Sequence, residues 1–236
     1  MFPVKLIPIV ATLLFFWVFS PFRKTNPIPP KPAAKRPISW LALGDSYTCG
    51  ESVDADDRYP VQAARLLNQN DHIACGDPDI LAVTGWTTGN LLNALQLFQT
   101  DQTYRIVTLL IGVNNQFRGY SQSQYREQLT LILQRSIALA GDAPSHVLVL
   151  SIPDWSVTPF GRLRDTALNA AQIDSFNVID HDLAMAYKVN YLDVTAESRK
   201  AAADPSLIAG DGLHFSAKEY GIWARLMEPV LKDMLR

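Results

Sequence analysis

The chain has 236 residues, a formal net charge of −2, 19% charged residues and 48% hydrophobic ones. That balance leaves no basic footprint and speaks against nucleic acid as a partner. After an N-terminal segment, the remaining length suits one α/β domain, large enough to bury most of its apolar surface.

Residues 1–22 contain an apolar run from Leu6 through Ser20, with Lys5 before it, like the hydrophobic stretch of an export signal. At ~1.5 Å per residue the run reaches only about 22 Å, although counting from Phe2 brings it near a full span. No small-residue cleavage site follows, and Pro21 opposes cutting after Ser20. The segment is therefore expected to stay attached as a membrane anchor. Residues 23–37 are basic and proline-rich, a stiff extended spacer ahead of a domain at 38–236. Arg23, Lys24, Lys31, Lys35 and Arg36 would hold the domain in the cytoplasm by the positive-inside tendency. A spacer behind an anchor suits an exported domain instead, periplasmic or extracellular, and export is the side expected.

Beyond residue 38, short apolar runs alternate with helical patterns. Strands are expected near 39–43, 79–84, 105–111, 146–152 and 190–194, and helices near 60–69, 88–98, 121–140, 166–187 and 216–234. The runs Ile106 to Ile111 and Val147 to Leu150 are continuous rather than alternating, as strands covered on both faces should be. Ser121 with Gln124 opens a helix carrying Tyr125, Leu129, Ile132 and Leu133 on one face. Ser216 with Glu219 makes a capping box ahead of a stripe of Trp223, Leu226, Val230 and Met234, and Pro229 should kink or shorten that last helix. The alternation predicts an α/β fold: a three-layer α/β/α sandwich around a five-stranded, mainly parallel sheet, with ligands gathered at the strand C-termini.

The residues at those ends carry chemistry. Gly44, Asp45, Ser46 and Tyr47 follow the first strand; Val83, Thr84, Gly85 and Trp86 close the second; Gly112, Val113, Asn114 and Asn115 follow the third; Asp211, Gly212, Leu213 and His214 precede the last helix. A serine hydroxyl attacks poorly unless a histidine takes its proton and a carboxylate fixes the imidazole tautomer. Asp211, three residues before His214 in a glycine-containing turn, is able to bend back onto Nδ1. Ser46 after a strand and a glycine has the position of a nucleophile.

These four ordered blocks resemble the SGNH (GDSL-like) serine hydrolase superfamily of esterases and lipases, over a stretch from about Trp40 to the C-terminus. The resemblance implies a flavodoxin-like hydrolase with Ser46, Asp211 and His214 as catalytic triad. It implies an oxyanion hole made by the backbone N–H groups of Ser46 and Gly85 and the side-chain amide of Asn114. No cofactor is implied. The superfamily spans esterases, lysophospholipases, thioesterases and carbohydrate deacetylases, so the expected substrate is a small-molecule or lipid ester, with the anchor favouring lipid. An acyltransferase with the same triad is the nearer alternative, and a non-catalytic binding module on this fold the more distant one.

Trp86, Phe117, Trp155 and Phe160 follow strand ends and are candidates for the substrate pocket. The remaining histidines read as structural: His72 in a loop, His146 at the wrong end of the fourth strand, His181 between Asp180 and Asp182 on a solvated helix face. None has metal-ligand spacing, and the acidic run Asp54, Asp56 and Asp57 reads as a solvated turn, so no metal site is expected. Cys49 lies beside the site and Cys75 at the far end of the sheet, which predicts two free thiols.

Overall fold

In the computed structural model the described residues are 37–70 and 73–236. The anchor, nearly all of the spacer and His72 lie outside them. Among the described residues five strands form one sheet: β1 (Trp40–Gly44), β2 (Asp79–Ala82), β3 (Ile106–Leu110), β4 (Val147–Leu150) and β5 (Asn190–Leu192). Their order is β2-β1-β3-β4-β5, and every neighbouring pair is parallel. The sheet is thus wholly rather than mainly parallel. β1, β3 and β4 are buried throughout, as their continuous apolar runs require.

Two strands end earlier than their apolar runs, for a specific reason. Ser151 N–H still donates to the Leu192 carbonyl at 3.0 Å, but beyond it the backbone pairs with side chains instead of a neighbouring strand. Ile152 N–H donates to Asn177 Oδ1 at 2.7 Å, and Val194 N–H donates to Ser151 Oγ at 2.8 Å. Those bonds peel the chain away from the sheet and toward the site.

Among the described residues there are eight α-helices, in chain order α1 (Ser46–Cys49), α2 (Tyr59–Asn70), α3 (Thr88–Leu97), α4 (Val113–Phe117), α5 (Gln122–Leu139), α6 (Thr166–Tyr187), α7 (Thr195–Ser198) and α8 (Ala217–Met234). Right-handed crossovers put α2 on one face and α3, α5 and α6 on the other. α8 returns to lie against α2. From β1 the chain moves outward to β2, then crosses back to β3 on the far side. The crevice between the β1 and β3 ends is therefore the topological switch point, where open α/β sheets bind ligands. Among the described residues no helix is long and apolar enough to cross a membrane.

The helix details correct several expectations. On α5, Tyr125, Leu129, Ile132 and Leu133 are all fully buried, as their spacing predicts. On α8 the buried stripe is Tyr220, Trp223, Met227, Leu231 and Met234, with Leu226 and Val230 only flanking it. Pro229 neither ends nor shortens α8. It sits on the exposed side, so the helical bond it forfeits is the solvent-facing one, while the buried side continues to pack on α2. The capping box is half made. Ser216 Oγ accepts from Glu219 N–H, but the Glu219 carboxylate turns inward and accepts from Trp223 Nε1–H at 2.7 Å. Burial pushes that carboxyl up to about 7.

His181 is exposed, set edge-on to Tyr191 with ring centroids 5.2 Å apart, but its neighbour Asp180 is not solvated. Asp180 is 1% exposed and lies 2.5 Å from the Tyr125 hydroxyl, which also donates to the Ile111 carbonyl at 3.0 Å. One hydroxyl proton cannot serve two acceptors, so the second bond needs the proton of the carboxyl. Burial pushes Asp180 up to about 8 and keeps that proton in place at neutrality. The folded value lies above the unfolded one, so the native state holds a proton that the unfolded chain releases above pH ~4. The associated stability is present in acid and is lost as pH climbs from ~4 toward 8. Asp180→Asn, whose amide N–H replaces that proton, should lose roughly 1–3 kcal/mol less stability between pH 5 and pH 8.5 in urea unfolding. Equal losses in the two proteins would mean that Asp180 does not titrate in that window.

Candidate active site

Ser46 opens the short helix α1 directly after β1. The preceding Asp45 caps it, its Oδ1 accepting from Tyr47 N–H at 3.1 Å. Asp45 is fully buried, and its Oδ2 has no hydrogen-bond partner among the described residues. Burial, opposed by bonds from the Tyr47 and Gly112 backbones, pushes its carboxyl up to about 7. Tyr47 is also buried, and its ring meets His214 edge-on at 5.9 Å. The turn carrying Ser46 is thus packed directly against the histidine.

Asp211 and His214 sit in the loop before α8, pinned by an Ala209 N–H to His214 carbonyl bond of 2.8 Å. Asp211 Oδ1 accepts from the N–H groups of Leu213 and His214, each at 2.9 Å. Its Oδ2 accepts from Ser52 Oγ at 2.8 Å and lies 2.5 Å from His214 Nδ1. Burial alone would raise the Asp211 carboxyl, but the donors of His214, Leu213 and Ser52 outweigh it and hold it well below the usual carboxylate range. A charged acceptor on Nδ1 keeps the proton there and leaves Nε2 free to accept one.

Asn114 is the second residue of α4, behind Gly112, whose φ of 130° is open only to glycine without strain. A β-carbon at Gly112 would also meet the Tyr125 hydroxyl at 2.6 Å. The Tyr125–Asp180 pair therefore buttresses the turn that presents Asn114. One N–H of the Asn114 amide donates to the Trp86 carbonyl at 3.0 Å, which leaves the other for a ligand. Its neighbour Asn115 is fully buried and fastens α4 to the start of α3 through Thr88, at 2.9 and 2.8 Å. Gly85 adopts φ 83°, and the Arg118 guanidinium donates to its carbonyl at 2.8 Å. The space where a Gly85 side chain would point is open, the nearest atom being Arg118 Nη2 at 3.6 Å. The need for glycine there is one of backbone conformation.

Ser46, Asn114 and His214 line one cavity of about 100 Å³ with Tyr47, Val113, Phe117, Trp155, Phe160 and Leu213. Three of the four candidate pocket aromatics are therefore on its wall. Trp86 is not among the lining residues; its backbone carbonyl holds the Asn114 amide instead. Trp155 is only 2% exposed and is fixed by its Nε1–H bond to Gln116 Oε1 at 2.9 Å. Sequence reasoning missed Ser52, Tyr47 and Leu213 at this site. A serine, a tyrosine and a leucine carry no spacing signal that separates these roles from ordinary packing.

The other candidates stand apart. His146 lies at the opposite sheet end, its Nε2 2.7 Å from Arg105 Nη1. Asp54, Asp56 and Asp57 sit on one short turn, the first two exposed and Asp57 half-buried. Cys49 and Cys75 are both free. Cys49 is near Thr84, whereas Cys75 bridges Ile38 below β1. Burial raises both thiols, which makes Cys49 a weaker rival as nucleophile.

A wholly parallel α/β/α sheet with Ser46 and Asn114 at its switch point and His214 against them defines an SGNH-type hydrolase acting on ester bonds. The chain belongs, more particularly, to the GDSL-like lipase/acylhydrolase family, whose model matches residues 42–222. Among solved structures it is similar to TesA, with 19% identity and a TM-score of 0.66 over 84% of this chain and 99% of that one. It is similar also to the psychrotrophic esterase EstA from Pseudoalteromonas sp., with 16% identity, a TM-score of 0.62 and coverage of 84% and 98%. The SGNH-hydrolase family esterase AlinE4 shares 20% identity at a TM-score of 0.60, over 86% of this chain and 100% of its own. At these identities the likeness is one of fold. Among curated proteins none matches the chain.

Proposed function

We propose that the protein is a serine esterase that cleaves short-chain carboxylic esters through a Ser46 acyl-enzyme. What supports this most is the charged Asp211 on His214 Nδ1, with His214 and Ser46 on the wall of one cavity. Ser46 Oγ attacks the ester carbonyl carbon while its proton passes to His214 Nε2. The carbonyl π electrons move onto oxygen, and the resulting O⁻ is met by the N–H groups of Ser46, Gly85 and Asn114 Nδ2, each worth roughly 3 kcal/mol in such holes. The intermediate collapses, the alcohol leaves with the proton from His214, and the acyl group stays on Ser46. Water then attacks the acyl carbon, again giving its proton to His214, and the carboxylic acid departs as Ser46 recovers its proton.

A cavity of about 100 Å³ walled by Val113, Phe117, Trp155, Phe160 and Leu213 suits a short apolar acyl group rather than a long lipid chain. The test is a fluorophosphonate label followed by peptide mass spectrometry. It should add once, on Ser46, and p-nitrophenyl esters should lose kcat/KM as the acyl chain lengthens. Labelling elsewhere would displace Ser46 as nucleophile.

Residues 1–22 serve in this reading as a membrane anchor and 23–37 as a spacer that holds the exported domain off the bilayer; the apolar run Leu6 to Ser20 and the prolines after it are the support. A chain starting near Lys35 should stay in the soluble fraction and keep its activity on water-soluble esters. Aggregation, or loss of that activity, would mean that the segment completes the domain.

A further inference from the structure

The wall of the cavity continues outward into a feature that ester hydrolysis does not use. Phe117 and Phe160 face each other at 6.2 Å between ring centroids, and the Arg164 guanidinium lies over both, 4.9 Å from one ring and 5.0 Å from the other. Phe117 is 44% exposed and Arg164 is exposed, while the other parts of the two rings line the cavity beside Ser46 and His214. The arginine therefore stands at the rim, with the cavity mouth beneath it.

Its charge is unspent. Among the described residues the Arg164 side chain makes no hydrogen bond and no ion pair. Nearby Arg162 spends two of its donors on main-chain carbonyls, Nε–H on that of Val157 and Nη2 on that of Ala202. A guanidinium laid against rings has its faces covered and its N–H edges pointing outward, the arrangement that grips a carboxylate or phosphate in two-point fashion. Arg118, the residue after Phe117, is turned instead to the Gly85 carbonyl, to which one of its nitrogens donates.

The loop holding Arg164 is rigid enough to aim it. Phe160 N–H donates to the Gly212 carbonyl at 2.9 Å, and Arg164 N–H to the Gly161 carbonyl at 3.0 Å. At Gly161 a β-carbon would meet the Trp155 carbonyl at 2.3 Å, so that turn is clamped against the cavity wall. An anion-binding group fixed in advance loses little side-chain freedom on binding.

We propose that Arg164, stacked on Phe117 and Phe160, is an anion subsite that selects esters carrying a carboxylate or phosphate a few atoms from the scissile carbonyl. This inference rests on the esterase reading of the same cavity. An apolar pocket that ends in a guanidinium discriminates by charge where its walls discriminate by length. Salt should weaken the effect because the subsite is open to solvent.

The full-length protein separates the two readings. Neutral p-nitrophenyl butyrate measures the esterase itself. p-Nitrophenyl hemiglutarate places the charge on the acyl side, and 4-acetoxybenzoate, against neutral phenyl acetate, places it on the alcohol side. In the wild type at least one anionic ester should exceed its neutral partner in kcat/KM. In Arg164→Gln that ratio should fall roughly five- to tenfold, with Arg164→Lys in between, and 0.5 M salt should erode the wild-type ratio in the same direction. The arm that responds tells which side of the ester bears the charge. Ratios unchanged by Arg164→Gln on both arms, while p-nitrophenyl butyrate is still cleaved, would overturn the subsite and leave the esterase standing. Absence of all ester cleavage would instead strike the esterase reading.

Discussion

Ser46→Ala is expected to lower kcat for a short p-nitrophenyl ester by about 10⁴–10⁶-fold and to abolish fluorophosphonate labelling. The size follows from the mechanism, since without Oγ no acyl-enzyme forms and only the oxyanion donors and binding remain to assist water. The fold should not notice. Ser46 holds α1 through its backbone carbonyl, which accepts from Glu51 N–H at 2.9 Å, a bond that alanine keeps. A melting temperature within a degree or two of the wild type would show that chemistry alone was lost. Labelling that survives in the variant would assign the nucleophile to another side chain. Cys49 is three residues away, and its half-buried thiol, raised above the ordinary value by that burial, makes it a poor alternative.

The frame around this serine was legible because its signals are local. Five apolar runs separated by helical patterns dictate a covered parallel sheet, and a residue that follows a strand must sit at its C-terminal edge. Hence Ser46 and Asn114 were placed at one crevice from order alone, and the Asp211–His214 turn was legible from its three-residue spacing. What stayed hidden depends on contacts between distant segments. Asp180 reads as one more charge beside His181, because nothing local reveals that Tyr125, on another helix, takes it into the core. Pro229 reads as a helix breaker, since propensity cannot register the packing that carries α8 past it. Glu219 looks like half of a capping box until Trp223 supplies a better partner. Trp86 shares its position after a strand with the pocket aromatics, yet offers only its carbonyl to Asn114. The Arg164 stack joins the last residue of α4 to two residues of the segment between β4 and α6, and no periodicity announces it.

Asp211→Asn should be nearly as damaging as loss of the nucleophile, for a reason the hydrogen bonds make specific. The carboxylate has two distinct oxygens. Oδ1 accepts from two backbone N–H groups, of Leu213 and His214, so the single carbonyl oxygen of an asparagine must take that place. The new NH₂ then faces His214 Nδ1 and Ser52 Oγ, where Oδ2 had been an acceptor. An N–H aimed at Nδ1 obliges that nitrogen to accept, which moves the imidazole proton to Nε2, the atom that has to receive the serine proton. The result is an intact site in the wrong tautomer, and kcat should fall by about 10³–10⁴. KM should change little, because Asp211 does not line the cavity. Fluorophosphonate labelling should slow in parallel with kcat, since that attack needs the same proton transfer. A loop that had merely shifted would raise KM and lower the melting temperature as well. A loss of less than ~10-fold with the fold unchanged would show that His214 holds its tautomer without Asp211, and the orienting role would pass to another group.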